Sequence, residues 1–397
     1  MNIFLLLLDA IQIVILIYLG ICLLYLFVFA VAGLFKNKIK PPADTKIRRI
    51  AVLIPGYKED NVIIHVAEHA TKQNYPNERF DVVIIADSYQ KETLDELRKL
   101  PVILIEVSFE ISTKAKALNK AFEQLSNDYD IAIILDADNL MEKDFLHQMN
   151  SAFSHNIKAV QGHRMAKNMN TPFAILDSVS EEINNHIFRK GHINLGLSSA
   201  IIGSGVGFDY TFFKNLISDI GAVGGFDKEI ELKMLRDGYF IDYLHNAYVL
   251  DEKVQKSEVF SNQRRRWLSA QFVYLRKFFI TSLIHLITKG NIEFFNKAFQ
   301  FAQLPRILIL GLVYILSPLF IWYNFVQNQN FTLWAWILVF TITTLTFVFS
   351  VPRKFYNLKT LKALLFLPRG IILMALSLMK IKGANKKFIH TSHGPTS

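Results

Sequence analysis

The apolar positions of residues 49–138 form short runs that alternate with amphipathic segments. Four runs of strand length predict buried strands: RIAVLIPGY (49–57), FDVVIIAD (80–87), VILIEV (102–107) and YDIAIILDAD (129–138). The segments between them have helical periodicity: NVIIHVAEHATKQ (61–73), KETLDELRKL (91–100) and TKAKALNKAFEQL (113–125). This alternation predicts an α/β domain with a parallel sheet, in which ligands bind at the carboxyl ends of the strands.

Longer apolar runs lie at both ends of the chain. The segment 10–35 contains no charged residue, and a helix of that length exceeds the ~30 Å hydrocarbon thickness of a bilayer. The segments 304–325 and 333–351 are also apolar and long enough to span. A fourth, 361–381, carries Pro368 and Arg369 at its middle. A central arginine is costly in lipid, so we expect an interfacial helix there, with a fourth span as the alternative.

The distribution of basic residues predicts the orientation of these spans. Six lysines and arginines follow the first apolar run: Lys36, Lys38, Lys40, Lys46, Arg48 and Arg49. The loop 323–333 carries no charge. We therefore expect an integral membrane protein of the cytoplasmic (inner) membrane, with the domain between the first and second spans in the cytoplasm. The predicted units are an N-terminal transmembrane helix (1–35), a cytoplasmic domain (36–300), two transmembrane helices (301–352) and an interfacial or fourth transmembrane helix with a tail (353–397).

Composition agrees with this arrangement. The chain is 51% hydrophobic, has a mean hydropathy of +0.26, and carries a net charge of +10. Anchoring to the inner membrane surface explains the basic excess without nucleic acid. The single cysteine, Cys22, lies in the first apolar run, which excludes an intramolecular disulfide and suits a reducing compartment.

Acidic residues occur where the predicted strands end. Asp87 ends the second strand, and Asp136 and Asp138 end the fourth. Buried carboxylates are rarely unpaired, and two of them one residue apart can hold a hard divalent cation that also binds a diphosphate. A run of three arginines within SNQRRRW (261–267) adds donors suited to phosphate.

Residues 50–267 resemble the family 2 glycosyltransferases, which have an α/β GT-A (Rossmann-like) fold, and in particular the membrane-embedded cellulose, chitin and hyaluronan synthases. The resemblance rests on Pro55, Tyr57 and Glu59 of a P-x-x-N-E-like segment, with Lys58 in place of asparagine, and on Asp87, Lys114, Asp136 and Asp138. It implies that these residues bind a nucleotide sugar, with Asp87 at the uridine and Asp138, supported by Asp136, at Mg²⁺ or Mn²⁺.

The general base of the resembling enzymes comes from an E-D-x-[ED]-L segment. The nearest string here is DKEIEL, with Lys228 and Glu229 where Glu-Asp would be. Despite this departure, we expect Glu229 to act as the base, with Asp227, two residues earlier, as the competing candidate. A charged helix start without catalytic function is the alternative.

Three further segments resemble parts of such a site. Gln263, Arg266 and Trp267 match a Q-x-x-R-W motif, in which the polar residues approach the diphosphate and tryptophan stacks on the acceptor sugar. Gly203, Ser204 and Gly205 resemble a loop that borders the acceptor. FIHTSH (388–393) resembles the gating loop of cellulose synthases, represented by Phe388, Thr391 and His393.

The resemblance implies a membrane-bound inverting hexosyltransferase that moves a sugar from a UDP-sugar to a growing polysaccharide by a metal-dependent single displacement. Transfer of one sugar to a lipid acceptor is the second possibility, and a non-catalytic membrane scaffold of the same fold is the third. Expected partners are the UDP-sugar, the polysaccharide or lipid acceptor, membrane lipid, and a second copy of the chain or an export partner. No nucleic acid is expected.

Overall fold

The computed structural model describes residues 3–36, 46–155, 157–221, 224–253 and 257–380. In chain order the helices and strands are α1 (Ile3–Ala32), β1 (Ile50–Tyr57), α2 (Ile63–Ala70), β2 (Phe80–Asp87), α3 (Lys91–Leu97), β3 (Ile103–Val107), α4 (Lys114–Gln124), β4 (Ile131–Ile134), β5 (Leu140–Met141), α5 (Phe145–Ala152), β6 (Ala159–Ala166), α6 (Pro172–Asn184), α7 (His192–Asn194), β7 (Val206–Asp209), α8 (Tyr210–Ser218), α9 (Phe226–Arg236), β8 (Ile241–Asp251), α10 (Ser257–Lys289), α11 (Ile292–Ala302), α12 (Arg306–Val326), α13 (Asn330–Ser350), α14 (Leu358–Leu364) and α15 (Leu367–Met379). A π-helical segment, Asn185–Gly191, joins α6 to α7.

The strands form one mixed sheet in the order β3-β2-β1-β4-β7-β6-β8-β5. The four strands predicted from the sequence are the parallel half, β3 to β4. Strand β7 runs antiparallel to β4 and β6, a reversal that the periodicity of the first half did not predict. The fourth strand ends at Ile134, before Asp136, because the chain leaves the sheet and turns there, with Asn139 N donating to Asp136 O at 3.1 Å.

Alternate residues of the central strands enter two cores. Ala51 and Leu53 pack under α4, α8 and α9, while Val52 and Ile54 pack under α2 and α5. Strand β1 is therefore covered on both faces, which explains its nearly continuous apolar sequence.

Three helices are long and apolar enough to cross a membrane: α1, α12 and α13. They share an apolar core around the fully buried Trp336, which stacks on Phe320 with ring centroids 4.9 Å apart. The fourth predicted segment consists of α14 and α15, bent by 46° at their break. Either the pair forms one broken span, or it lies at the interface.

The C-terminal end of α1 is joined to the sheet domain by hydrogen bonds. His186 Nε2 donates to Ala30 O at 2.8 Å, and Asn194 Nδ2 donates to Ala32 O at 2.8 Å and to Phe35 O at 3.0 Å. The last carbonyls of a helix have no partner within the helix, so these side chains cap α1 and fix its direction.

Gly191 permits this close approach of α1, since a Cβ there would lie 2.3 Å from Phe29 O. We expect Gly191→Ala to lower the free energy of unfolding by about 1–3 kcal/mol, the usual cost of overpacking. The measurement is thermal unfolding of the detergent-purified full chain. Gly20→Ala is the matched control, because nothing lies within 4 Å of a Cβ at Gly20. Equal melting temperatures for the two variants would contradict the predicted contact.

Candidate functional site

The ends of β1 and β2 lie side by side. Tyr57 and Asp87, the last residues of the two strands, are paired in register, and Pro55 lies two residues earlier on β1. Asp87 is buried and accepts a 2.9 Å hydrogen bond from the Ser88 hydroxyl. Lys58 and Ser88 follow with φ values of 54° and 59°. A left-handed conformation is uncommon for such residues and often occurs at functional sites.

Tyr89 lies at the same edge and was not predicted from the sequence. Its hydroxyl would be 1.9 Å from a Cβ on Gly56, so a larger residue there would have to displace the Tyr89 side chain. The hydroxyl is buried without a hydrogen-bond partner among the described residues. Burial raises the pKa of Tyr89, and the nearby carboxylates of Glu59, Asp60 and Asp87 raise it further. Tyr89 is therefore a neutral donor beside the predicted nucleotide-binding residues Glu59 and Asp87.

Asp136 is held from two directions. Its carboxylate forms an ion pair with Lys114, the first residue of α4, and Lys114 Nζ also donates to Gly203 O at 2.8 Å. Its backbone N–H donates to Ser204 Oγ at 2.9 Å. The structure thus brings together Lys114, Asp136 and the Gly203–Ser204–Gly205 segment, which are far apart in sequence.

The glycine segment has a conformation that needs glycine. Gly203 and Gly205 have φ values of 75° and 61°. The buried Gln161 of β6 donates to Ser204 O at 3.0 Å and to Gly205 O at 3.1 Å. These bonds leave the segment rigid beside the two aspartates.

Asn139 connects the second aspartate to the interior. Its Nδ2 donates to Asp138 Oδ1 at 3.1 Å and to Asp251 Oδ1 at 3.0 Å. Its Oδ1 accepts a 2.6 Å hydrogen bond from the Ser204 hydroxyl. Asn139 is fully buried with its amide satisfied on both sides, so it orients Asp138 directly and Asp136 through Ser204.

We expect Asn139→Ala to weaken Mn²⁺ binding by about 10–100-fold, the usual effect of removing an outer-shell partner. The measurement is titration of the purified chain with Mn²⁺, followed by electron paramagnetic resonance of the free ion. Asn127→Ala is the control, because Asn127 is exposed and accepts a hydrogen bond from Lys214, away from the two aspartates in sequence. Unchanged Mn²⁺ affinity in Asn139→Ala would exclude this orienting role.

The donor chemistry at Asp136 and Asp138 fits a hard divalent cation, since both groups offer carboxylate oxygens. Within the described residues, no three His, Cys, Asp or Glu side chains are grouped to hold a metal ion. Asp136 and Asp138 would leave further coordination positions of such a cation to diphosphate oxygens and water.

Behind Asn139 lies a buried network of charges. Arg164 pairs with Glu181 at 2.9 Å, Lys253 with Asp251 at 2.7 Å, and Arg189 with Glu181 at 3.3 Å. Burial alone would raise the pKa values of Glu181 and Asp251, but Arg164 and Lys253 lower both below their usual range. Three cations thus face two ionised carboxylates. The surplus positive charge lies on the inner side of the two aspartates.

Helix α9 presents the two candidate bases differently. The Cβ of Asp227 is 3.3 Å from the position of a Cβ on Gly203, so Asp227 borders the glycine segment. Glu229 is only 4% exposed, and its carboxylate accepts a 2.7 Å hydrogen bond from Lys277 of α10. Both acids lie near Tyr274, whose pKa is raised by burial first and by these carboxylates second. Asp227 is therefore the acid that lies beside the glycine segment, while Glu229 is the buried, ion-paired one.

The position of Asp227 suggests a second way to align this acidic segment with the E-D-x-[ED]-L pattern. With Asp227 at the second position of E-D-x-[ED]-L, Glu229 takes the later acidic position and Ile230 that of leucine. Phe226 then replaces the first glutamate. Lys114 Nζ lies 5.1 Å from the centre of the Phe226 ring.

The arginine run on α10 is divided among three environments. Arg264 is buried, forms an ion pair with Asp177 of α6, and lies 4.3 Å from the centre of the Trp267 ring. Arg265 donates to Lys380 O at 3.2 Å, at the end of α15. Burial lowers the pKa of Arg266. A run distributed in this way is not a solvated basic patch.

The remaining motif residues have mixed positions. Gln263 Oε1 is buried and has no hydrogen-bond partner among the described residues, as expected of a group that meets a ligand. Trp267 is 40% exposed, with Arg264 over one face. Phe388, Thr391 and His393 of the predicted gating loop lie outside the described residues.

Comparisons with known proteins agree with this architecture. A model of the family described as "Glycosyltransferase like family 2" matches residues 48–270. The probable glycosyltransferase YdaM of Bacillus subtilis (strain 168) is 21% identical over 249 residues, 58% of this chain and 57% of that protein. The chain thus spans a little over half of that relative's length.

Among solved structures, the mannosyltransferase PcManGT of Pyrobaculum calidifontis, in complex with GDP-Man and Mn²⁺, has a similar fold. The TM-score is 0.54 at 18% identity, covering 95% of this chain and 98% of that one. At this identity the similarity concerns the fold.

Proposed function

This chain belongs to glycosyltransferase-like family 2 and has a GT-A-like fold, and on that basis we propose that it transfers a sugar from a nucleoside-diphosphate sugar to an acceptor at a membrane surface. The observation that carries the proposal is the convergence of Lys114, Asp136, Asp138 and Asp227 around one rigid glycine segment at the carboxyl ends of the strands. Ligands of open α/β sheets bind at this edge.

In the proposed reaction Asp227 accepts the proton of the acceptor hydroxyl. The acceptor oxygen forms a bond to the anomeric carbon as the bond from that carbon to the diphosphate breaks, and the electron pair leaves with the nucleoside diphosphate. Attack opposite the leaving group inverts the configuration. A divalent cation, Mg²⁺ or Mn²⁺, held by Asp136 and Asp138 would supply positive charge to the diphosphate when bound. Gln263 and Arg266 would contact the departing diphosphate.

For the donor we propose a UDP-sugar first, because Asp87 occupies the place at which the resemblance puts a uridine contact. GDP-sugars come next, since the similar fold of PcManGT holds GDP-Man with Mn²⁺. The Mn²⁺ of that complex also supports a divalent cation here.

For the setting we propose that α1, α12 and α13 cross the cytoplasmic membrane and that the catalytic domain lies on the basic, cytoplasmic side. Their length and apolar composition support insertion, and the basic residues after α1 support the side.

For the acceptor we favour a membrane lipid over a growing polysaccharide. In the described part of the chain the three apolar helices pack around a filled core of Leu23, Phe320 and Trp336, which supports an acceptor that does not have to pass between them. Polysaccharide synthesis stays a possibility if a second copy or an export partner supplies the channel.

The test is release of nucleoside diphosphate by the purified full chain in vesicles of bacterial lipid, over a panel of UDP- and GDP-sugars with Mn²⁺ or Mg²⁺. Release with one donor, with labelled sugar in the organic extract, is the expected result. Label in an ethanol-insoluble fraction instead would establish the polymer. No release with any donor would favour the non-catalytic scaffold.

A further inference from the structure

Two histidines of neighbouring strands face each other at an irregularity in the sheet. On β6, Gly162 is opposite Leu244 of β8. The next residue, His163, is opposite Tyr248, so the three β8 residues in between bulge out of the ladder. The first of them is His245, and its Nδ1 lies 3.3 Å from Nδ1 of His163, 82 residues earlier in the chain. Bulges redirect side chains and often lie next to functional sites, and this one brings together two imidazoles that are far apart in sequence.

The other ring nitrogen of His163 is held by a carboxylate. Nε2 lies 3.1 Å from Glu182 Oε2 on α6, and Glu182 Oε1 pairs with Lys354 at 2.7 Å. Burial alone would raise the pKa of Glu182, but the hydrogen bond with His163 and the charge of Lys354 lower it to about 2. An ionised carboxylate only accepts hydrogen bonds, so Nε2 donates to it. Nδ1 of the neutral His163 ring then carries a lone pair.

The hydrogen bonds of His163 do not account for the close approach of His245. The Tyr243 hydroxyl also lies 2.9 Å from His163 Nδ1. Burial raises the pKa of Tyr243, so the hydroxyl keeps its proton and donates it to this nitrogen. A neutral imidazole has one lone pair at its unprotonated nitrogen, and Tyr243 already uses it. The contact between the two Nδ1 atoms therefore needs another explanation.

The spacing of the two nitrogens fits a shared metal ion. Zn²⁺ binds imidazole at about 2.0–2.1 Å, so two nitrogens on one tetrahedral ion lie about 3.3–3.4 Å apart. A histidine that binds a metal usually donates its other N–H to a carboxylate, as His163 does to Glu182. Burial, and then the neighbouring His163, lower the pKa of His245 to about 4. His245 is thus neutral at pH 7, the form that a metal requires.

We propose that His163 and His245 bind a late first-row transition-metal ion, with Zn²⁺ as the first choice, at a site separate from Asp136 and Asp138. Imidazole ligands suit Zn²⁺ and Cu²⁺, whereas Mg²⁺ and Mn²⁺ prefer oxygen. Within the described residues no third His, Cys, Asp or Glu joins the pair, so water completes the coordination and the ion is exchangeable. The exposed His245 gives the ion a path from solvent to the buried His163.

A metal ion at this position would connect several elements of the fold. It would cross-link the bulge of β8 to β6, and Glu182 would extend the connection to Lys354 in the turn that follows α13. The nearby charge of Lys190, which also lowers the pKa of His245, opposes the binding of a cation. An ion that binds only the folded state stabilises it, so Zn²⁺ should raise the melting temperature.

The test is Zn²⁺ binding by the full chain, purified in detergent without a polyhistidine tag and measured by isothermal titration calorimetry. Each titration is done with and without excess Mg²⁺, which fills a site of oxygen ligands. His245→Gln should weaken Zn²⁺ binding by at least about tenfold and abolish the rise in melting temperature. Since His245 is exposed, the variant should stay folded. His147→Gln should bind Zn²⁺ normally, because His147 is an exposed residue of α5 whose ring contacts Tyr75.

A second variant tests the carboxylate behind the site. Glu182→Gln should weaken Zn²⁺ binding by about 10–100-fold, the usual effect of losing an outer-shell partner. With Cu²⁺ in place of Zn²⁺, electron paramagnetic resonance should show coupling to two imidazole nitrogens in the unmodified chain and to one in His245→Gln.

Three results would overturn the proposal: equal Zn²⁺ affinity of His245→Gln and the unmodified chain, an equal loss of affinity in His147→Gln, or Zn²⁺ binding only in the absence of Mg²⁺. The last would assign the ion to the two aspartates. These measurements need neither a sugar donor nor turnover. The metal site therefore stands or falls independently of the proposed reaction.

Discussion

Replacing Asp138 with asparagine should reduce sugar transfer by at least about 100-fold while the protein stays folded, because the change removes the charge that a divalent cation requires and keeps the shape of the side chain. The asparagine oxygen can still accept the hydrogen bond from Asn139, so the surrounding network survives. The measurement is release of nucleoside diphosphate at saturating donor, together with Mn²⁺ affinity and the melting temperature.

The control for this variant is Asp144→Asn. Asp144 is exposed, precedes α5 and accepts a hydrogen bond from Asn74, so the same chemical change there should leave activity intact. If Asp138→Asn transfers sugar at the rate of the unmodified chain, neither a cation at Asp138 nor the proposed mechanism can stand.

Asp227→Asn should lower kcat by about 10²–10⁴-fold with little change in the KM for the donor, since a general base contributes in the transition state and not in donor binding. Glu229→Gln should act mainly on stability. It removes the charge that pairs with Lys277 and Lys233, and losing a hydrogen bond to a charged group costs about 1–3 kcal/mol.

The two acidic variants are compared at a temperature where both are folded, with kcat and melting temperature measured on the same samples. A large loss of kcat in Glu229→Gln at unchanged melting temperature, with Asp227→Asn active, would return the base to Glu229. Loss of kcat in both variants without loss of stability would mean that the two acids act together.

Much of the parallel half of the sheet could be predicted from the sequence. Its central strands β1 and β4 are buried on both faces and are therefore almost entirely apolar, and the helices between the strands show a clear periodicity. Strands β6 to β8 carry a weaker signal, because β6 has the sequence AVQGHRMA and β8 includes polar positions such as His245 and Asn246. The antiparallel pairing of β7 with β6 and the bulged parallel pairing of β6 with β8 depend on contacts that a local pattern does not encode.

Residues that act through distant partners could not be found from the sequence. Asn139 directly follows the two aspartates, yet its role depends on Asp251, which is 112 residues away. The separate environments of the three arginines in the run could not be predicted from the sequence either. Three adjacent arginines look alike in the sequence, while Arg264 contacts α6, Arg265 contacts the end of α15, and Arg266 is partly buried. Asp177, which holds Arg264, has no motif around it.

In the membrane setting proposed above, the capping of α1 by His186 and Asn194 also sets the height of the sheet domain above the bilayer. Since the helix end is fixed by hydrogen bonds to residues that directly continue α6, the catalytic domain cannot rise and fall on a loose tether. The site would then lie at a fixed distance from the membrane. The reactive hydroxyl of an acceptor would reach it only if the distance between that hydroxyl and the acceptor's membrane anchor matched. Two acceptors with identical head groups but different spacers would be distinguished by length alone.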